Sequence, residues 1–376
     1  MPHLERDRWV LIWGDDPLEW LLTSEEAPAR WVALTGLLER PEDDPDVIAA
    51  RAAAVSSPMV QELIAGLPAW GTAAVVPGHD SPAYLPNRLH LLADLGVRGG
   101  DDERVERALD ALGGHQTDAG RFLAWGKAPR RPDPLWGTLP CDTHAIAEVL
   151  VRYGRAGHPA TRQALARMAA DLADTDQGPA WTCIPDPAVG FRGPGRKGEV
   201  CPQVSLEALR AFSRLPEAER PDGLIDAANT LLDVWRDRGS RRPYMFGHGF
   251  RFKTVKWPPH WYGAYWVLDT LGRLPALWGP GGDPEAARST AELVACVVAY
   301  NVGPSGRVTP GSVYRGFEGF SFGQKKVPSP TATALLAQVV HRFADLAPAV
   351  AGVDVLALAS ARGGTGTPRP PAVLRG

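Results

Sequence analysis

The chain has 376 residues, a formal net charge of −3, 44% apolar and 22% charged residues, a globular composition that excludes wholesale disorder. Charge so nearly balanced also excludes a chain-wide electrostatic hold on nucleic acid or an anionic membrane. Its 40 Gly and 36 Pro, about a fifth of the sequence, mean that regular structure is interrupted often.

No apolar run approaches the roughly 20 residues that span a bilayer. The N-terminus, Met1-Pro-His-Leu-Glu-Arg6, lacks a basic segment followed by an apolar stretch and a small-residue cleavage site. Four cysteines in a chain this long are not a disulfide framework. The expectation is a cytoplasmic protein, in whose reducing surroundings grouped thiols mean metal or chemistry rather than cross-links.

Along the chain, five similar segments recur: Leu34-Thr-Gly-Leu-Leu38, Leu92-Ala-Asp-Leu-Gly96, Leu150-Val-Arg-Tyr-Gly154, Leu209-Arg-Ala-Phe-Ser213 and Leu268-Asp-Thr-Leu-Gly272. Their first residues are separated by 58, 58, 59 and 59 positions, and a sixth, looser copy lies around Leu335-Leu336. Each closes a stretch with helical apolar spacing, such as Ile146, Val149, Leu150 and Tyr153. A turn and a second helical segment follow, as over 101–112, 161–172 and 224–235. A Gly/Pro-rich loop then closes the unit, as at 116–120, 176–181 and 305–306.

The unit is therefore helix, turn, helix, long loop. Such a hairpin cannot bury its apolar stripe alone and needs neighbours. Six of them form either an open solenoid or a ring. The period exceeds that of common helical solenoids, and the surplus lies in the loops, which suits a closed double ring with loops at its rims. Residues 1–361 are expected to be one all-α domain, with 1–80 as an irregular first hairpin and 362–376 as a disordered tail rich in Gly, Pro and Thr.

Placing the chemistry-bearing residues on this register singles out three cysteines. Cys141 lies nine residues before Leu150 and Cys201 eight before Leu209, so both open inner helices of neighbouring hairpins; Cys183 sits in the loop between. His248 and His260 precede the next inner helix. Cys141, Cys183 and Cys201 with His248, or with His260 instead, would make a tetrahedral zinc site. Buried structural cysteines are the competing reading. Cys296, among Val294, Val297 and Val298, is read as core.

A second constellation runs from Phe246 to Tyr262. Arg251, Lys253 and Lys256 would grip an anionic group, while Trp257, Trp261 and Tyr262 face a hydrophobic substrate. A half-buried strand over 250–255 is the plainer alternative. Lys325-Lys326 either joins this rim or is an exposed turn. Asp142 and His144, early in the second inner helix, are candidate acid–base residues, although a packed histidine is the commoner case. No phosphate-binding glycine loop, nucleophile elbow or dinucleotide fingerprint is present.

Gln116-Thr-Asp-Ala-Gly-Arg-Phe122, echoed by Asp176-Gln-Gly-Pro-Ala-Trp181, resembles the repeats of the squalene–hopene cyclase and protein prenyltransferase β-subunit superfamily over residues 85–345. The resemblance implies an (α/α)6 toroid with a deep central cavity. The Asp-x-Asp-Asp acid motif of the terpene cyclases is missing; Asp174-Thr-Asp176-Gln comes nearest. Asp15-Asp16-Pro-Leu-Glu19 has the form of a magnesium–diphosphate motif but reads more simply as helix capping. The adjacent Cys141-Asp142 does not reproduce the Asp, Cys and His zinc ligands of the prenyltransferases. The expectation is an enzyme acting on a hydrophobic, isoprenoid-type substrate in an aromatic-lined cavity with a basic rim and zinc. A non-catalytic toroid that binds a ligand or a protein segment, with a structural metal, is the alternative.

Overall fold

The computed structural model describes residues 2–127, 133–186, 200–237, 253–260 and 262–360. Helices dominate. In chain order they are α1 (Pro2–Trp13), α2 (Leu18–Leu22), α3 (Ala27–Gly36), α4 (Pro45–Ser56), α5 (Pro58–Ala65) and α6 (Leu85–Asp94). Next come α7 (Glu103–Gly113), α8 (Pro140–Arg152), α9 (Pro159–Ala170), α10 (Pro202–Ser213), α11 (Leu224–Arg236) and α12 (Ala264–Leu271). The last are α13 (Pro275–Trp278), α14 (Pro284–Asn301), α15 (Pro330–His341), α16 (Ala347–Ala351) and α17 (Val355–Ser360).

The proline surplus has a local cause. Proline stands in the first turn of α3, α4, α5, α6, α8, α9, α10, α14 and α15. There its fixed φ suits the helix and its missing N–H has no intrahelical acceptor in any case. Asp16, in the acidic run near the N-terminus, caps as expected: its Oδ1 accepts from the Leu18 N–H at 2.9 Å.

Two classes of helix follow from burial. In α8 every residue from Pro140 to Val151 is buried, and in α10 every residue from Val204 to Ser213. Helix α7 buries only Val105, Ala108, Leu109 and Leu112, one stripe against the layer inside it. The enclosed helices pack in sequence, α6 on α8, α8 on α10, α10 on α12, α12 on α15 and α15 back on α3. Trp31 of α3 also lies against Gly96, just past α6; that glycine has φ +98° and a Cβ there would meet the indole at 3.2 Å. Helices α4, α9, α11 and α14 pack outside α3, α8, α10 and α12 respectively.

The first segment departs from an irregular hairpin. Helices α3 and α4 form a regular one, whereas α1 runs to the far end of the chain and packs on α14, α15 and α16. One apolar cluster extends from Trp9 to Val350. The loops after α7, α9 and α14 each hold tight antiparallel elements: a bridge between Gln116 and Phe122 with strands β1 (Ala124–Gly126) and β2 (Leu135–Gly137), strands β3 (Leu172–Thr175) and β4 (Gly178–Trp181), and a bridge between Val302 and Val308. Asp174 therefore lies on a strand. No single helix among the described residues is long and apolar enough to cross a membrane, though the bent pair Pro45–Ser56 and Pro58–Ala65 passes a test of length and composition together.

The C-terminal ends of the enclosed helices carry a buried ionic belt. Asp94 pairs with Arg152. Glu148 meets His90 at 2.5 Å and both Arg210 and Arg214 at 3.0 Å. Asp269 meets Arg342 at 2.7 Å, Arg273 at 3.1 Å and Arg214 at 3.3 Å. Burial alone would raise the Asp269 pKa, but Arg273, Arg342 and Arg214 together hold it well below the usual carboxylate range. Burial drives His90 down to about 3, so it is neutral beside the ionised Glu148. Five helices are tied at this end.

Candidate functional site

The opposite ends of the same helices, their N-termini, converge on a different chemistry. Asp142 lies in the first turn of α8, Gln203 in the first turn of α10 and Glu207 one turn further. His79 comes from the loop that enters α6, and Asn87 pins that loop by donating to the carbonyls of His79 (2.7 Å) and Ser81 (3.0 Å).

His79 Nε2 lies 2.8 Å from Asp142 Oδ1, and the Tyr84 hydroxyl donates to the same oxygen at 3.3 Å. On the other side, His79 Nδ1 is 2.7 Å from the Gln203 amide, which reaches Glu207 Oε1 at 3.2 Å. The polarity of the amide contact follows the histidine tautomer. Burial works to lower the His79 pKa, but its interactions with Cys141 and Asp142 outweigh it and hold the imidazole well above its usual value. Burial pushes Glu207 up to about 7, and its Oε2 has no hydrogen-bond partner among the described residues.

Cys141 hydrogen-bonds to His79, and burial pushes its thiol up to about 11. Ligand atoms of His79, Cys141 and Asp142 all lie within 4.8 Å of one another. Cys183 and Cys201 are hydrogen-bonded to each other instead, and both are buried. The register that placed Cys141 and Cys201 at neighbouring inner-helix starts is met, with Cys201 capping α10 and Cys141 just inside α8. Cys296 is core on α14.

Beside this cluster lies a pocket of about 140 Å³ walled by Asp80, Lys256, His260, Tyr262, Trp266 and Tyr314, among others. His260 is held down to about 3, first by burial and then by Arg88, so it presents a neutral ring; neither nitrogen has a side-chain partner among the described residues. Of the basic rim, Lys256 and Tyr262 line this pocket. Lys256 Nζ sits 3.7 Å above the Tyr314 ring, while Lys253 Nζ lies over Tyr300 of α14 at 5.1 Å. Trp257 is fully buried and packs edge-on against Tyr265 rather than facing the pocket. With Lys256 it forms β5 (Lys256–Trp257), paired in parallel to Ser312 and Val313; the strand alternative covers 250–255, of which the described Lys253 to Val255 are not in a strand. Lys325 and Lys326 are exposed in a turn. Arg251, Trp261, His248 and residues 362–376 fall outside the described residues.

His144 packs as a buried histidine. Its Nδ1 donates to the Val204 carbonyl at 2.9 Å, its ring is edge-on to Trp181, and burial lowers it to about 4. The sequence reading did not single out His79, Tyr84, Gln203 or Glu207. His79 could have been found in the Gly/Pro loop immediately before an inner helix, the same register that marked Cys141 and Cys201.

No family model matches the chain, so the terpenoid-cyclase and prenyltransferase resemblance finds no matching model, and no curated protein matches either. Among solved structures the chain is similar to one described as an unsaturated glucuronyl hydrolase specific for heparin. The identity is 11% and the TM-score 0.45, over 94% of this chain and 98% of that one. That likeness is too distant to speak to fold or chemistry.

Proposed function

We propose that the chain is an (α/α)6 toroid in a single domain and an enzyme with a zinc centre held by His79, Cys141 and Asp142. The observation that carries the reading is the gathering of their three ligand atoms within 4.8 Å. The donor set fits: thiolate, imidazole and carboxylate are the zinc ligands of proteins, and three of them leave a fourth position open, as catalytic sites require. His79 here takes the part first given to His248, and Cys183 with Cys201 stand apart as a pair. Zinc, when bound, supplies Lewis-acid polarisation of a substrate oxygen or sulfur.

The remaining steps belong to the chain's own residues. Asn87 fixes the His79 loop, and the Gln203 amide nitrogen lies 2.7 Å from His79 Nδ1, an outer-shell contact that orients the imidazole. Glu207, at about 7, holds or yields a proton near neutrality. Tyr262, Trp266 and Tyr314 give the pocket an aromatic wall for a small, largely apolar substrate, with Lys256 at its rim for an anionic group.

Metal analysis of the dialysed full-length protein tests this. About one equivalent of zinc is expected, falling in Cys141→Ser and in His79→Ala. Cobalt substitution is expected to give a thiolate-to-cobalt charge-transfer band that Cys141→Ser abolishes. A wild-type protein without bound metal, or a band indifferent to Cys141, overturns the reading.

A further inference from the structure

Cys183 and Cys201 are left over by the site above, and their setting is specific. Thr182 and Val200 form an antiparallel bridge, and the Cys201 N–H donates to the Trp181 carbonyl at 3.0 Å. Cys201 thus faces Trp181, and Cys183, two residues on, projects to the same side of the ribbon. Their thiols hydrogen-bond to each other, whereas Cys141 is engaged by His79. Each residue is 7% exposed, so the pair is shielded but not sealed.

We propose that Cys183 and Cys201 are a redox-active dithiol that closes to an intramolecular disulfide on meeting a low-molecular-weight disulfide of the glutathione class. The chemistry is ordinary exchange. The Cys183 thiolate attacks one sulfur of glutathione disulfide; an S–S bond forms to Cys183 and glutathione leaves as thiolate. The Cys201 thiol loses its proton and attacks the Cys183 sulfur, forming the protein disulfide and expelling the second glutathione. Two thiols are oxidised, one glutathione disulfide is reduced to two thiols, and the protons released from the protein end on them.

The order of attack has a physical basis. The hydrogen bond from Cys201 to Cys183, followed by burial, holds the Cys201 thiol well above its usual pKa, which disfavours Cys201 as the first nucleophile. The bond would fasten the loop after β4 to the first turn of α10, which carries Gln203.

The test equilibrates the full-length protein at a series of glutathione-to-glutathione-disulfide ratios, blocks remaining thiols with N-ethylmaleimide and maps peptides by mass spectrometry. The expected product links Cys183 to Cys201 and lowers the free thiols from four to two. Cys183→Ser and Cys201→Ser are each expected to abolish it, and Cys141→Ser to leave it. The proposal is overturned by a bridge that contains Cys141. It is equally overturned by four free thiols at ratios that fully oxidise dithiothreitol in the same tube. The wild-type map decides without any variant, and neither cysteine belongs to the proposed metal set, so this outcome is separate from metal content.

Discussion

Asp269→Asn tests whether the ionic belt holds the inner helices together. The carboxylate on α12 meets Arg342 at 2.7 Å, Arg273 at 3.1 Å and Arg214 at 3.3 Å. At about 3 Å and an effective dielectric of about 20, each contact is worth about 5 kcal/mol in gross Coulomb energy. Most of that is offset by desolvation; the net loss on removing one partner of a buried pair is about 3–5 kcal/mol, because the remaining charges stay buried and uncompensated. Arg273, whose side chain is 28% exposed, rehydrates more readily, so Arg273→Met is expected to cost about 1 kcal/mol. Urea melts at pH 7.5 measure both. The sign with pH follows from a folded-state pKa depressed below its unfolded value. The stabilisation is present above about pH 4 and is lost as pH falls further, so the wild type loses its advantage over the Asn variant in acid. A variant within about 0.5 kcal/mol of wild type at pH 7.5, or an unchanged gap at pH 3, refutes the argument.

Gly306→Ala is expected to lower the melting temperature markedly, since φ is +65° and the new Cβ would lie 2.1 Å from the Asp15 carbonyl oxygen. Thermal melts of the variant check this, with Gly157→Ala, where a Cβ meets nothing within 4 Å, as the silent comparison. Glu207→Gln is expected to flatten the pH dependence of stability. A carboxyl that ionises at about 7 when folded, against about 4.3 when unfolded, penalises the native state progressively from about pH 4.5 and fully above 7. Urea midpoints at pH 5 and pH 8 should therefore differ more in wild type than in the variant. Equal differences remove the elevated carboxyl.

How much of this was legible in the sequence depended on whether a signal was local. Prolines at helix starts and the 58-residue recurrence are local, and they placed Cys141 and Cys201 at the right ends of α8 and α10. The register could mark His79 at the entry to α6, but its meeting with Asp142 spans 63 residues and depends on a loop with no periodicity, so the contact itself was not announced. Glu207, Glu148 and Asp269 carry no mark in the sequence that sets them apart from solvent-facing acids. They are buried because these helices are enclosed on every side, which a single helix's pattern does not encode. Lys256 and Trp257 are successive residues of a two-residue strand and so point to opposite faces, while Lys253 lies in the turn before it, over Tyr300. The packing of α1 on α15, across nearly the whole chain, was hidden for the same reason as the histidine.

The two ends of the enclosed helices differ in a way that their shared direction explains. Each helix presents free N–H groups and partial positive charge at its start, and free carbonyls with partial negative charge at its end. Arg152, Arg214, Arg273 and Arg342 sit at or beyond the last turns of α8, α10, α12 and α15, where cations are favoured. Asp142 and Cys141 sit in the first turn of α8 and Cys201 at the cap of α10, where anions are favoured. Parallel packing adds these effects instead of cancelling them, so the end that gathers His79, Cys141 and Asp142 is also the end whose helix dipoles favour negative charge, against the burial that raises the Cys141 thiol. The belt at the other end fixes the helices' register. On the proposed zinc reading, a variant such as Asp269→Asn should therefore loosen the His79, Cys141 and Asp142 geometry from the far end of α8 and α10, without touching a proposed ligand, and lower zinc retention along with stability.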